Sequence, residues 1–186
     1  MRMKRSLFLV LFVGGLVFAA SAQNAPLQPQ QGSLPGFHVT TLDGAQVSSG
    51  DWKMPGHWVL IYVQSNCRSC KLALMQLKLT QMTPQNGTQQ SPLLDLGQTL
   101  VVVVAGTDAV DAKDLALQFP WLKGAKWYID SSFEAEKALS LHGSPAFFGV
   151  DRATVEWKFS GVTGNPGAFN ETLLKWMQSN SSAPEM

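Results

Sequence analysis

Two cysteines, Cys67 and Cys70, are the only thiols of the 186-residue chain, and two residues separate them. A pair so spaced can form, break and exchange a disulfide, provided that one sulfur is readily a thiolate and the other stays within reach. A purely structural bridge is the poorer reading, because it closes a very small loop and removes little entropy from the unfolded chain. Arg68 and Lys71 bring positive charge to the pair. If Cys67 stands at the start of a helix, unpaired backbone N–H groups and the positive end of the helix dipole also point at its sulfur. Lowering a thiol from about 8.5 to about 7 requires about 2 kcal/mol of thiolate stabilisation, which these groups together can supply. Cys67 is then the attacking thiol and Cys70, one turn further in, the resolving one.

The flanking periodicities supply that helix. Trp58-Val59-Leu60-Ile61-Tyr62-Val63 is apolar and rich in β-branched residues, a buried strand that breaks at Gln64-Ser65-Asn66. From Cys70 the period becomes helical, with Leu72, Met75, Leu79 and Met82 marking an apolar flank beside Leu74 and Leu77. Pro84 ends this helix near Thr83.

Further along, Phe37 to Leu42 and Ala45 to Val47 surround Asp43-Gly44, a hairpin signal. Thr99 to Ala105 is apolar on both faces, as a central parallel strand is. A helix over 110–119 leads to a strand at Lys126 to Asp130, and a short helix from Phe133 to Leu141 follows. Ala146 to Val150 and Thr154 to Phe159 form strands around Asp151-Arg152, and Asn165-Pro166 caps a last helix reaching Met177. The order predicts an α/β fold: a central mixed β-sheet flanked by helices, with an N-terminal β-hairpin. Right-handed crossovers put Cys67 at the strand ends.

Ahead of this domain, Arg2, Lys4 and Arg5 precede an apolar run from Leu7 to Ala20, and Ala20-Ser21-Ala22 offers small residues for cleavage. Residues 1–22 therefore read as a signal peptide, with an uncleaved anchor as the alternative, and the protein is expected in the periplasm. Residues 23–36, rich in Gln and Pro, read as a flexible lead-in, 37–179 as one domain and 180–186 as a disordered tail. Roughly 160 residues remain after cleavage, enough for a core without disulfide staples. The net charge of +1, with mixed signs, argues for no nucleic-acid partner.

Cys67-Arg68-Ser69-Cys70 after an apolar strand, the Val-rich run at Leu100 to Val104, Tyr128-Ile129-Asp130 and the segment Leu139 to Asp151 together resemble the thioredoxin-fold superfamily. The likeness is to its exported TlpA/ResA-type redoxins. It implies a thioredoxin-like fold and thiol-disulfide oxidoreductase activity on protein clients. It also implies a membrane electron carrier as partner and reduction rather than oxidation. By the same likeness Pro145 is a cis-proline beside the dithiol, and Ser144 presents its backbone to the client. Arg68 is a candidate for selecting acidic partners. The chain departs from the pattern in carrying Asn66 where an aromatic residue usually precedes the first cysteine. It also has Ile61 in place of a buried aspartate and Ala73 in place of a first-turn glutamate.

Other chemistries fit less well. A peroxiredoxin needs Thr or Ser three residues before the attacking cysteine and a proline upstream, and Gln64 and Leu60 occupy those places. A non-catalytic binding module on the same scaffold remains the alternative. His142 could join the two thiols around copper or zinc, but a surface role is the default, and neither metal nor cofactor is expected. His38 and His57 read as plain strand-edge residues, and a monomer is expected.

Overall fold

The computed structural model describes residues 27–54, 56–82, 96–106 and 108–179. Residues 1–22, expected to be a signal peptide, the polar stretch 83–92 and the tail 180–186 lie outside the described residues. Among those described, no helix is long and apolar enough to cross a membrane.

Eight strands form one mixed sheet: β1 (Gln28–Ser33), β2 (His38–Thr41), β3 (Gln46–Ser48), β4 (His57–Gln64), β5 (Leu100–Ala105), β6 (Lys126–Asp130), β7 (Ala146–Asp151) and β8 (Thr154–Ser160). Their order across the sheet is β1-β8-β7-β4-β5-β6-β2-β3. β4, β5 and β6 run parallel, and all other pairs are antiparallel. Among the described residues, four helices pack on it: α1 (Arg68–Met82), α2 (Ala109–Leu117), α3 (Glu134–Ala138) and α4 (Pro166–Gln178). The expected hairpin is β2–β3, and the expected α/β architecture is the one found.

Alternation along β4 divides the core. Val59, Ile61 and Val63 face Leu74 and Leu77 of α1, Leu115 of α2 and Leu173 of α4. Trp58, Leu60 and Tyr62 face the other way, toward Phe37, Trp52, Ala135 and Leu139. Period-two side-chain direction thus lets one strand contribute to both cores. On α1 the buried face is Cys70, Ala73, Leu74 and Leu77, whereas Leu72 and Met75 are exposed. Of the flank expected through Leu72, Met75, Leu79 and Met82, the first two thus face outward, and the side chains of the last two lie outside the described residues. Cysteine and alanine complete the true stripe at spacings of three and four.

Residues 28–33, expected within the flexible lead-in, instead form edge strand β1 against β8, with Gln28 opposite Lys158 and Ser33 opposite Thr154. All six of its residues are exposed, so backbone pairing holds it rather than its own side chains. Leu27 and Leu34 anchor its two ends, one on each core. Pro29 is tolerated because this is an edge.

Candidate active site

Strand β4 leaves the sheet at Gln64, and a turn delivers Cys67 directly before α1. The Cys67 N–H donates to the Gln64 carbonyl at 3.2 Å, and its own carbonyl accepts from Lys71 N–H at 3.2 Å, the first bond of the helix. Cys67 is thus in the N-cap position, and its sulfur does what a capping oxygen does. It accepts from the Cys70 backbone N–H at 3.1 Å and lies 3.1 Å from the Ser69 hydroxyl. These groups preorganise a site for negative charge on that sulfur.

Cys67 and Cys70 are joined in a disulfide, with Cα atoms 5.2 Å apart. Cys67 is half-buried, and Cys70 is wholly buried in the core that includes Ile61 and Ala73. The asymmetry leaves Cys67 as the more accessible of the two sulfurs. Ile61 and Ala73 are both buried and apolar, so neither can relay a proton.

The segment before β7 closes over the dithiol. The Ser144–Pro145 peptide is cis, and Ser144 lies 77 residues from Cys67 in sequence yet beside it in space. Its carbonyl oxygen and its hydroxyl each lie 3.8 Å from the Cys67 sulfur. Ser144 is half-buried and Pro145 buried, and the Pro145 carbonyl accepts from Gly161 N–H at 2.8 Å, tying the segment to the end of β8. Cys67, Cys70, Ser144 and Pro145 are therefore brought together. Arg68 is exposed in the first turn of α1.

Compared with solved structures, the chain aligns along most of its length. A putative thiol:disulfide interchange protein DsbE from Chlorobium tepidum superposes with TM-score 0.60 at 17% identity, covering 81% of this chain and 99% of that one. A thiol:disulfide interchange protein from a Bacteroides species gives TM-score 0.58 at 14% identity, over 83% and 94% of the two chains. The chain has the thioredoxin-like fold. A secreted Mycobacterium tuberculosis disulfide oxidoreductase, homologous to Escherichia coli DsbE, adds TM-score 0.56 at 13% identity over 75% and 95%. No protein-family model matches the chain, and no curated protein does.

On this thioredoxin-like frame, a cleft of about 710 Å³ opens beside the cis-proline segment, walled by Gln28 and Gln30 of β1, His142, Ser144, Pro145 and Lys158 among others. β1, which the sequence did not announce, is thus one wall of the cleft. His142 is exposed there.

A buried polar pair also escaped the sequence reading. Asp130, fully buried at the end of β6, accepts from the Tyr62 hydroxyl and from Glu136 N–H, both at 3.0 Å, through one oxygen. Its other oxygen is buried without a hydrogen-bond partner. Burial, then the charge of Asp130, pushes the Tyr62 hydroxyl far above its ordinary value. A carboxylate directly after the apolar Tyr128-Ile129 pair was the available signal.

Proposed function

We propose that this protein is an exported thiol-disulfide oxidoreductase that reduces disulfides of protein clients through Cys67 and Cys70. The observation that carries the reading is the Cys67 sulfur at the tip of α1, accepting the Cys70 N–H at 3.1 Å with the Ser144 carbonyl oxygen 3.8 Å away. The Cys67 thiolate attacks one sulfur of a client disulfide, forming a mixed disulfide and expelling the other client sulfur as a thiolate. Cys70, deprotonated, then attacks the Cys67 sulfur. The second client sulfur leaves, and the Cys67–Cys70 disulfide holds the oxidised state. Two electrons from a membrane electron carrier, with two protons from solvent, return the pair to the dithiol.

Ser144 and Pro145 line the cleft next to Cys67, so Ser144 can offer backbone to an extended client segment in the manner of strand addition. Arg68, exposed in the first turn of α1, favours acidic residues flanking the client disulfide. The basic and apolar start of the chain supports export to the periplasm, and a monomer suffices because both sulfurs and the client cleft belong to one chain. Insulin reduction with and without Cys67→Ser, together with a glutathione redox titration, tests the proposal. A midpoint toward about −270 mV supports a reductant, whereas one near −120 mV marks an oxidant. Absence of insulin reduction by the wild type would remove the enzymatic reading.

A further inference from the structure

The other end of β4 carries a second constellation, about 23 Å from the dithiol end at strand spacing. His57, the first residue of the strand, has a side chain only 5% exposed. Its Nδ1 lies 2.7 Å from the Trp176 carbonyl oxygen. A carbonyl can only accept, so Nδ1 carries the proton and Nε2 is directed to the other side, where Glu156 Oε2 lies 3.5 Å away. Asp151 is the cross-strand partner of His57, at the end of β7. One ligand atom from each of His57, Asp151 and Glu156 falls within 4.8 Å of the others.

Trp176 of α4 organises two of the three. Its carbonyl takes the His57 Nδ1–H, its indole N–H donates to Glu156 Oε2 at 2.7 Å, and its ring stacks on the imidazole with centroids 4.2 Å apart. Metal-bound histidines and carboxylates are held in this way, by an outer partner that fixes the tautomer and aims the carboxylate. Three adjoining strands, β4, β7 and β8, supply the ligands, so the site stands on rigid elements.

We infer that His57, Asp151 and Glu156 bind one divalent cation of the zinc type, with Trp176 as their shared outer partner. One imidazole nitrogen and two carboxylate oxygens suit such an ion, with a fourth position for water. Donor atoms on a common tetrahedral zinc lie about 3.4 Å apart, so small rotations of Asp151 and Glu156, both partly exposed, close the set. Arg152 stands 3.4 Å from Asp151 but is 78% exposed, and an exposed pair of this kind yields readily to a dication. Because Trp176 belongs to α4, the ion ties the last helix to the sheet.

The test uses the full chain, freed of metal by a chelator and kept in its disulfide form so that the thiols cannot ligate. Titration with zinc chloride, followed by calorimetry, is expected to show saturable binding of one ion per chain. Cobalt(II) chloride should give visible bands without a thiolate charge-transfer band. Glu156→Gln and Asp151→Asn each weaken zinc by at least about tenfold, and Trp176→Phe, which keeps an aromatic ring but removes the N–H, weakens it about tenfold. The Cys67→Ser/Cys70→Ser double variant binds as the wild type does. No saturable uptake by the folded disulfide form, or equal uptake by Glu156→Gln and Asp151→Asn, overturns the inference. Neither result bears on the redox reading.

Discussion

The backbone N–H of Cys70 points at the sulfur of Cys67 across 3.1 Å. Cys70 thus contributes twice: its side chain to the disulfide and its main-chain N–H to the Cys67 sulfur. That bond exists because Cys67 is the N-cap of α1, where N–H groups have no helical partner. The chemistry and the helix start are one arrangement.

Arg68 is exposed in that same turn, so its contribution is electrostatic. Reversing its charge with Arg68→Glu should raise the Cys67 pKa and cost about 0.5–1 kcal/mol of thiolate stabilisation. Alkylation of reduced protein near neutral pH should then slow about two- to fivefold, less so in high salt. An unchanged rate would assign the activation to backbone groups alone.

The cleft wall formed by β1 gives a prediction that separates client binding from thiol reactivity. Removing residues 23–33 takes Gln28, Pro29 and Gln30 from the cleft and bares the edge of β8. The KM for a protein client should rise, while alkylation of Cys67 by a small reagent should stay as in the wild type. Equal losses in both would show that β1 supports the fold and not the client.

The Tyr62–Asp130 bond predicts a response to alkali. The folded state holds the Tyr62 proton well above the ordinary tyrosine range, chiefly through burial, while the unfolded chain releases it near pH 10. The native state therefore binds more protons above about pH 10, and stability falls as pH rises from there. Urea midpoints at about pH 8 and about pH 11 should differ less in Tyr62→Phe than in the wild type. Tyr128, shifted the same way by burial, retains its own share. Near neutral pH the variant should lose about 1–3 kcal/mol, because Asp130 forfeits a donor.

Gly149 lies opposite Trp157 in the β7–β8 pair. A Cβ there would fall 2.0 Å from the indole. Gly149→Ala must displace Trp157 from a close-packed core, at a cost of about 1–3 kcal/mol or more, readable as a lowered urea midpoint. A midpoint equal to the wild type would mean that the indole has room to move.

The sheet was legible wherever burial on both faces wrote a continuous apolar run. Trp58 to Val63, Leu100 to Ala105 and Ala146 to Val150 each lie within a strand as read. The dithiol was legible because strand end, cysteine and helix start are contiguous. What stayed hidden depends on residues far apart in sequence. β1 forms from Gln and Pro because the edge of β8 offers it hydrogen bonds, a fact that belongs to β8 and not to β1. His57, read as a plain edge residue, is buried because Trp176, 119 positions later, stacks on it. The burial of Leu74 rather than Leu72 was settled by the sheet under α1, since both positions are leucine.

The most direct test is the pH dependence of alkylation of the reduced protein, with each thiol assigned by mass spectrometry. The site geometry predicts that Cys67 labels first and that its thiolate forms below about 8.5, the usual cysteine range. Cys70, enclosed in the core, should stay unlabelled while the protein is folded. Should Cys70 label first, or should neither thiol outpace an unperturbed cysteine near neutral pH, the account of an activated sulfur at the tip of α1 is contradicted.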